Sequence, residues 1–299
     1  MRSQLKIKQK GSHTLGTTLK DIRNEISKAL ESKGFENACD EAKWLLAYVL
    51  GRDSSFITLN PHEQFPQDLR SKLEDTLRRR LNHEPLSRIR GCREFWSLEF
   101  DLNEHTLDPR PDSEILVEGV LAKVSNTQAH SILDLGTGTG CLLISLLKEL
   151  PNAYGIGGDY SYDALQMARH NAKKLGVSDR ATFFQGCWSE ALSGPFDIIV
   201  SNPPYIPYRD KETLSLEVSN FDPCLALYGG EDGYECYRAL AQDLFRILAP
   251  HGLIALELGH GQRLEVQSVF QTMGYTMLDG LKDLQGIERV ILFSYERRK

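Results

Sequence analysis

The chain has 299 residues, of which 41% are hydrophobic and 25% charged, with a formal net charge of -6 and a sequence pI near 5.8. This length accommodates two domains, and the composition is that of a globular protein. The acidic balance argues against a broad electrostatic grip on nucleic acid, and no apolar run approaches the roughly 20 residues of a membrane span, so we expect a cytoplasmic protein that binds neither nucleic acid stably nor a membrane.

The first part of the chain is predicted to be a short tail followed by a helical domain. Residues 1–16 carry several basic residues and no acidic one, which indicates a disordered tail. Within residues 17–88, apolar residues recur at helical spacing in three segments. The faces of the first and third segments consist of Leu19, Ile22, Ile26 and Leu30, and of Leu69, Leu73, Leu77 and Leu81. We expect a small all-helical domain that recognises the substrate.

A change of pattern at Gly91 marks a linker between two domains. In "REFWSLEFDLNEHTL", apolar and polar residues alternate around "LNEH". Alternation with a period of two is typical of paired strands. The sequence therefore predicts a β-hairpin linker over residues 89–108.

Residues 109–299 alternate between strand and helix patterns. Helix patterns such as "CLLISLLKEL" and "YDALQMARHNAKKLG" separate the early strands. The strand patterns are "SILDLG", "AYGIGGD", "ATFFQG", "FDIIVSN", "LIALELG" and "RVILFSY". This alternation predicts an α/β domain with an open, mostly parallel sheet and helices on both faces.

A glycine-rich turn follows the first of these strands. In "LDLGTGTG", Asp134 lies near the end of the strand, and Gly136, Gly138 and Gly140 form the turn into the next helix. Absent side chains let a ligand lie against the backbone there. Nineteen residues past Gly140, Asp159 ends the next strand, where an acid accepts hydrogen bonds from ribose hydroxyls. The spacing predicts a site for a nucleoside-containing cofactor.

The same turn narrows the choice of cofactor. Cys141 stands where the third glycine of the dehydrogenase pattern would be, and no Lys-Ser/Thr pair is present to hold the phosphates of a nucleoside triphosphate. "DxGxGxG" with a later acid resembles the S-adenosylmethionine site of class I methyltransferases, while a nicotinamide cofactor remains the alternative. The six cysteines are scattered without a CxxC pair, so we expect reduced thiols and no metal.

A second motif, "SNPPY", follows the strand "FDIIV" and lies at the same predicted edge of the sheet. The lone pair of an amide nitrogen is delocalised, so a methyltransferase must orient its two N–H bonds. The side-chain oxygen of Asn202 and the backbone carbonyl of Pro203 supply two acceptors, stiffened by Pro203 and Pro204, and Tyr205 packs against a planar group. The alternative is a tight turn with a purely structural role.

These motifs together resemble those of the N5-glutamine methyltransferases that modify peptide chain release factors, the HemK or PrmC family. The resemblance covers residues 17–299. It rests on "GCREFWSLEF", "TLDPRPDSEILVE", "DLGTGTGC", "FDIIVSNPPYIP", "LALYGGEDGYECYR" and "LELGHGQ", in this order. The family implies a class I methyltransferase domain with a Rossmann-like sheet behind an all-helical N-terminal domain.

The resemblance also implies a substrate, a cofactor and a set of contacts. The substrate is the glutamine of the Gly-Gly-Gln loop of a class I release factor, bound by a monomeric enzyme that aids translation termination. Asn202, Pro203, Pro204, Tyr205 and Arg110 would hold that glutamine, although Arg110 has a structural alternative in an ion pair with Asp112 or Glu114. The residues that would hold S-adenosylmethionine are Asp134, Gly136, Thr137, Gly138, Gly140, Asp159, Cys187, Trp188 and Asn202.

One departure from the family pattern concerns the adenine end of this site. The family usually has an acid before the aromatic residue that follows the third strand, whereas this chain has Cys187 before Trp188. A thiol is a weak hydrogen-bond partner, so we expect reduced cofactor affinity.

Two other functional classes remain open from the sequence. A nucleic-acid amino methyltransferase uses the same "NPPY" geometry on a base, although the chain has no clear target-recognition domain or basic cleft. A non-catalytic cofactor-binding protein is the third class, against which the intact "NPPY" argues.

Overall fold

The computed structural model describes residues 17–296, and the predicted tail at residues 1–16 lies outside the described residues. The chain divides into two compact units, the first ending at Arg90 and the second beginning at Gly91. No helix within residues 17–296 has the length and apolar character needed to cross a membrane.

The first unit is entirely helical. Thr18 caps its first helix by accepting a hydrogen bond from the Asp21 N–H at 3.3 Å, and Gly51 ends the second in the left-handed region at φ 62°. The predicted face of the first helix is buried, whereas on the third helix Leu73 is buried and the other leucines of the face are half-buried. The helices are α1 (Leu19–Glu31), α2 (Ala38–Leu50), α3 (Ser54–Leu59), α4 (Arg70–Leu81) and α5 (Leu86–Arg90). The three predicted helices are therefore confirmed, and two short ones join them.

An arginine on α4 lies inside this helical unit. The Arg80 side chain is only 3% exposed, and its guanidinium donates to both carboxylate oxygens of Glu41 at 2.6 and 2.8 Å. The same group lies 4.2 Å from the centre of the Phe35 ring. This pairing and stacking satisfy a buried cation that links α4 to α2.

The second unit begins with a hairpin whose turn differs from the predicted one. Strands β1 (Cys92–Phe95) and β2 (Leu98–Asp101) are antiparallel, and Trp96 and Ser97 form the turn. Placing the hairpin around "LNEH" was wrong, because that segment follows β2. Both turn residues have positive φ, 52° and 57°, a conformation that usually requires glycine or asparagine. "Trp-Ser" contains neither glycine nor asparagine, so the sequence does not reveal this turn, whereas the asparagine in "LNEH" falsely suggests one.

The main sheet has seven strands in the order β5-β4-β3-β6-β7-β9-β8. The first five in this order are parallel, and β9 is antiparallel to both of its neighbours. Strand β8 was not predicted. The strands are β3 (Ser131–Leu135), β4 (Tyr154–Asp159), β5 (Ala181–Gln185), β6 (Phe196–Ser201), β7 (Leu248–Glu257), β8 (Thr276–Lys282) and β9 (Glu288–Ser294). The prediction of an open, mostly parallel sheet is confirmed.

Helices cover both faces of the sheet. On one face, α6 (Glu114–Leu121), α7 (Cys141–Glu149) and α8 (Tyr162–Lys174) pack on side chains such as Ile132 and Val200. On the other, α11 (Glu235–Ile247) and α12 (Arg263–Thr272) pack on neighbours such as Leu133 and Ile199. Alternate residues of one strand thus face opposite layers, as a sheet buried on both sides requires. Two short helices, α9 (Leu216–Phe221) and α10 (Cys224–Leu227), lie between β6 and α11.

Candidate active site

A cavity of about 330 Å³ opens beside the carboxyl ends of β3, β4 and β6. The chain runs outward from β3 to β4 and β5 and then returns to β6 on the other side of β3, so the strand order reverses at this point. Ligands of open α/β sheets bind at such a reversal. The predicted residues that line this cavity are Arg110, Gly136, Thr137, Gly138, Asp159, Cys187, Trp188, Asn202 and Pro204.

The three glycines of the first turn have different roles. All three have positive φ, at 75° for Gly136, 53° for Gly138 and 82° for Gly140. A side chain at Gly138 would meet nothing within 4 Å, so the backbone there is open to the cavity. A Cβ at Gly140 would lie 2.9 Å from a methyl carbon of Ile144, and this glycine does not line the cavity. Gly140 therefore permits close packing of the helix, and Gly136 and Gly138 expose the backbone.

Asp159, at the end of β4, ties this turn to the next helix. One carboxylate oxygen accepts from the backbone N–H of Gly138 at 2.9 Å, and the other accepts from that of Ser161 at 2.9 Å. Burial raises the pKa of Asp159, and these backbone hydrogen bonds oppose that rise. Since the residue also lines the cavity, its remaining lone pairs suit ribose hydroxyls.

Asp134 lies beneath the same turn. It is fully buried and accepts a hydrogen bond from the Thr137 hydroxyl at 2.7 Å. Burial raises its pKa to about 7, although the hydrogen bond from Thr137 favours the charged form. Asp134 does not line the cavity, so its direct contact with a cofactor stays a prediction. Its hydrogen bond with Thr137 instead stabilises the glycine turn.

Asn202 follows β6 directly and faces the glycine turn. Its side-chain nitrogen donates to the Ser113 hydroxyl at 3.2 Å, so Oδ1 is the end of the amide that remains as an acceptor. Among the described residues, none donates a hydrogen bond to the carbonyl of Pro203. Asn202 and Pro204 line the cavity, whereas Pro203 and Tyr205 do not, so the pairing of Asn202 Oδ1 with the Pro203 carbonyl as two acceptors for a substrate stays a prediction.

The loop after β7 supports Tyr205 through a hydrogen bond and close packing. The Gln262 side-chain nitrogen donates to the Tyr205 carbonyl at 2.9 Å, and the Gln262 side-chain oxygen accepts from the Gly259 N–H at 3.0 Å. A Cβ at Gly259 would lie 2.9 Å from the Tyr205 ring. Burial raises the pKa of Tyr205, so its hydroxyl stays neutral. The "LELGHGQ" motif therefore buttresses "NPPY", and contact of Tyr205 with a substrate stays a prediction.

Sequence reasoning missed a buried acid next to this motif. Glu257, the last residue of β7, is 2% exposed, and one of its carboxylate oxygens accepts a hydrogen bond from the Ser113 hydroxyl. Burial raises its pKa to about 7. The Tyr237 hydroxyl donates to the Glu257 backbone carbonyl at 2.8 Å. The signal in the sequence was an acid inside the otherwise apolar run "LIALELG", which a buried strand tolerates only with partners.

Arg110 lines the cavity but pairs with a different acid from either of those expected. Its guanidinium forms an ion pair with Asp222, a residue of the segment between β6 and α11, and the Asp222 side chain is 2% exposed. The expected partners, Asp112 and Glu114, bind elsewhere: Asp112 pairs with Arg289, and Glu114 accepts from the Trp96 N–H. Substrate binding by Arg110 therefore stays a prediction, and its observed role is to join two segments of the cavity wall.

The cavity lining includes Cys187, the residue that departs from the family pattern, and its neighbour Trp188. Cys187 is exposed, and Trp188 adopts a positive φ of 47° and packs partly on the second core layer. Cys141 and Cys236 also line the cavity, and burial raises the pKa of both thiols. Within residues 17–296, no group of three or more His, Cys, Asp or Glu side chains could hold a metal ion.

Family comparison divides the chain as its two units do. A family profile described as the PrmC N-terminal domain matches residues 21–91, and one described as a methyltransferase domain matches residues 126–279. The hMettl16 catalytic domain, solved with the MAT2A 3'UTR hairpin 1, aligns with a TM-score of 0.57 and 15% identity over 84% of this chain and 91% of that chain. Such a likeness establishes the fold alone. The expected class I methyltransferase fold, with its Rossmann-like sheet, is confirmed.

Full-length relatives extend this likeness to nearly the whole chain. A release factor glutamine methyltransferase of Agrobacterium fabrum is 42% identical over 89% of this chain and 93% of its own length. One from Rhodospirillum rubrum is 43% identical over 88% of this chain and 81% of its own. The bifunctional methyltransferase of Rickettsia felis is 39% identical over 93% of this chain, which spans 58% of that longer protein.

Proposed function

This chain belongs to the release factor glutamine methyltransferase family, and we infer that it transfers the methyl group of S-adenosylmethionine to the side-chain amide nitrogen of a glutamine in a peptide chain release factor. One observation carries this proposal. The Asn202 amide, beside the open glycine turn, has its nitrogen bound to Ser113 and its oxygen left as an acceptor. An amide nitrogen needs that arrangement, since it brings two N–H donors and no usable lone pair of its own.

The cavity residues fit S-adenosylmethionine. The backbone at Gly136 and Gly138 is open to the amino-acid portion, and Asp159 supplies acceptors for the ribose. Thr137 joins the same wall, with Cys187 and Trp188 at the predicted adenine end. When bound, the sulfonium supplies an electrophilic methyl group. Gly136, Gly138 and Asp159 would hold the cofactor in the same cavity that Asn202 lines.

The two acceptors of "NPPY" lower the barrier in the transition state. As the new C–N bond forms and the S–C bond to the methyl group breaks, which would leave S-adenosylhomocysteine as product, the glutamine nitrogen becomes more positive and its N–H bonds become more acidic. Acceptors at Asn202 Oδ1 and the Pro203 carbonyl then bind those N–H groups more strongly than they do in the ground state. The proton leaves to solvent after transfer, and no general base is needed.

Family membership and charge support the finer details of the proposal. The target is the glutamine of the Gly-Gly-Gln loop of class I release factors, and its methylation aids translation termination. The helical unit, residues 17–88 by the sequence division, recognises the rest of that protein, while Arg110 and Tyr205 contribute to binding of the glutamine. We further propose that the enzyme is monomeric, binds no nucleic acid stably and no membrane, and works in the cytoplasm, where its substrate acts.

Methyl transfer from labelled S-adenosylmethionine tests the function. Purified release factor is compared with a variant whose loop reads Gly-Gly-Ala and with total nucleic acid. We expect label on the intact release factor and none on the variant. Label on nucleic acid alone would overturn the substrate class while keeping the cofactor. Binding of the cofactor without transfer to either would mean a non-catalytic partner protein.

A further inference from the structure

Two buried groups lie behind Asn202, first the hydroxyl of Ser113 and then the carboxyl group of Glu257. The Asn202 side-chain nitrogen donates to Ser113 at 3.2 Å, and the Ser113 hydroxyl donates to Glu257. Ser113 is 3% exposed and Glu257 2% exposed, so water does not compete for these groups. The three residues come from three separate segments, namely the turn before α6, the end of β6 and the end of β7. Such a chain costs folding free energy unless every member is satisfied.

We propose that Glu257 and Ser113 are positioning residues that fix which end of the Asn202 amide faces the glutamine. This inference rests on the proposed function, because it assigns the orientation of the acceptor used in that reaction.

The numbers of donors and acceptors fix the direction of the hydrogen bonds that run from Asn202 through Ser113 to Glu257. The Ser113 hydroxyl donates its single proton to Glu257, and this direction is required whenever Glu257 is ionised, because an ionised carboxylate only accepts. The lone pairs of Ser113 then accept from the Asn202 nitrogen. Oδ1 is left to face the cavity as an acceptor. With the amide turned over, an N–H of Asn202 would meet an N–H of the substrate, and donor would oppose donor.

The charge of Glu257 also acts through the amide. A carboxylate at the end of a hydrogen-bonded chain polarises each member, which increases the negative charge on Asn202 Oδ1. A stronger acceptor stabilises the nitrogen as it becomes positive. Arg289, which is paired with Asp112 and Asp283, is the cation whose field favours the ionised form of Glu257.

Substitutions of Ser113 separate positioning from simple stability. Ser113→Ala removes the relay, and Ser113→Thr keeps a hydroxyl at the same place. Ser131→Ala is the matched control, because the Ser131 hydroxyl also donates to a carboxylate, Asp197, at 2.8 Å, but at the amino end of β3. We expect kcat to fall about 10- to 100-fold in Ser113→Ala, while Ser113→Thr and Ser131→Ala stay within about 3-fold of the wild type.

Cofactor binding and Glu257→Gln complete the test. The dissociation constant of S-adenosylmethionine, measured by calorimetry, should change less than about 3-fold in Ser113→Ala, so the loss falls on kcat. Glu257→Gln keeps the shape and removes the charge, and we expect kcat to fall about 10-fold.

The outcomes distinguish this inference from the function on which it rests. A wild-type enzyme that does not label release factor would reject the proposed function itself. An active wild type with full kcat in both Ser113→Ala and Glu257→Gln would overturn the positioning role alone. Equal losses of kcat in Ser113→Ala and Ser131→Ala would also overturn it, since they would reduce the hydroxyl to a structural contact.

Discussion

The backbone N–H of Gly138 donates a 2.9 Å hydrogen bond to the carboxylate of Asp159, which joins the glycine turn after β3 to the end of β4. The other oxygen of Asp159 accepts from the N–H of Ser161. Both oxygens are thus occupied by donors from the backbone, and only a carboxylate presents an acceptor at each position. The cofactor wall therefore depends on charge as well as on shape.

Asp159→Asn should weaken cofactor binding, because the new amide nitrogen faces one of these two backbone N–H groups. A lost hydrogen bond with a buried donor left unsatisfied costs about 1–3 kcal/mol, so we expect the dissociation constant of S-adenosylmethionine to rise roughly 5- to 150-fold. Isothermal titration calorimetry measures it. Asp40→Asn, on the exposed side of α2, is the control and should bind as the wild type does. Unchanged affinity in Asp159→Asn would contradict the role assigned to this carboxylate.

Asn202→Ala should remove one of the two acceptors for the substrate amide. We expect kcat for release factor methylation to fall about 100- to 1,000-fold, the range seen when one preorganised hydrogen-bonding group is removed from an active site. Single-turnover labelling measures the chemical step. Asn152→Ala is a matched control, since the side chain of that exposed asparagine donates to the Thr127 carbonyl at 3.1 Å and does not line the cavity. Retention of more than about a tenth of kcat in Asn202→Ala would reject the acceptor role.

Cys187→Asp should tighten cofactor binding by restoring the acid that the family usually carries before the aromatic residue. Cys187 lines the cavity and is exposed, so a carboxylate fits there without a large desolvation penalty. We expect the dissociation constant of S-adenosylmethionine to fall about 3- to 10-fold, which corresponds to about 0.7–1.4 kcal/mol, the net gain of an ordinary hydrogen bond at an exposed site. Titration calorimetry, with Cys187→Ser as the uncharged comparison, measures this. Equal or weaker affinity in Cys187→Asp would disprove the prediction.

The pH dependence of stability should carry the signature of Asp134. Burial raises its pKa from 3.8 to about 7, so the folded protein binds a proton more tightly than the unfolded chain does. This contribution to the free energy of unfolding is present in full below pH 3.8 and is lost as the pH rises toward 7. Thr137, Asp159, Cys141 and the backbone of Leu143 face the same carboxyl group.

Asp134→Asn removes that titration. Relative to the wild type, the variant should gain stability between pH 4 and pH 7, by an amount on the order of 2–4 kcal/mol. Urea unfolding at several pH values measures the difference between the two proteins. A difference that does not change with pH would show that the wild-type carboxyl group keeps an ordinary pKa.

Strong periodicity made much of the fold predictable. The helices around Leu19 and Leu73, the parallel strands and the glycine turn each carry several concordant signals in a short stretch. Strand β8, "TMLDGLK", was missed because Asp279 and Gly280 interrupt its alternation, and its stability comes from pairing with β9. A local pattern cannot reveal a pairing of that kind.

Contacts between residues far apart along the chain also explain which features of the site could not be predicted from the sequence. Ser113 and Glu257 are 144 residues apart, and only the sheet brings them together behind Asn202. The ion pair of Arg110 with Asp222 spans 112 residues and displaced the two nearby acids that the sequence favoured. Acids close to Arg110 along the chain were the natural candidates for its ion pair. In the folded protein, burial and geometry determine that its partner is Asp222.

The order of the strands has a consequence for the time at which the enzyme acquires activity during synthesis. Strand β9 lies between β7 and β8, and its Val290 pairs with Glu257. On a translating ribosome, β7 therefore lacks this neighbour until residue 290 has left the exit tunnel, and β8 has no strand to join. A nascent chain interrupted before β9 therefore contains the glycine turn and "NPPY", while the edge of β7 next to Glu257 has no pairing partner.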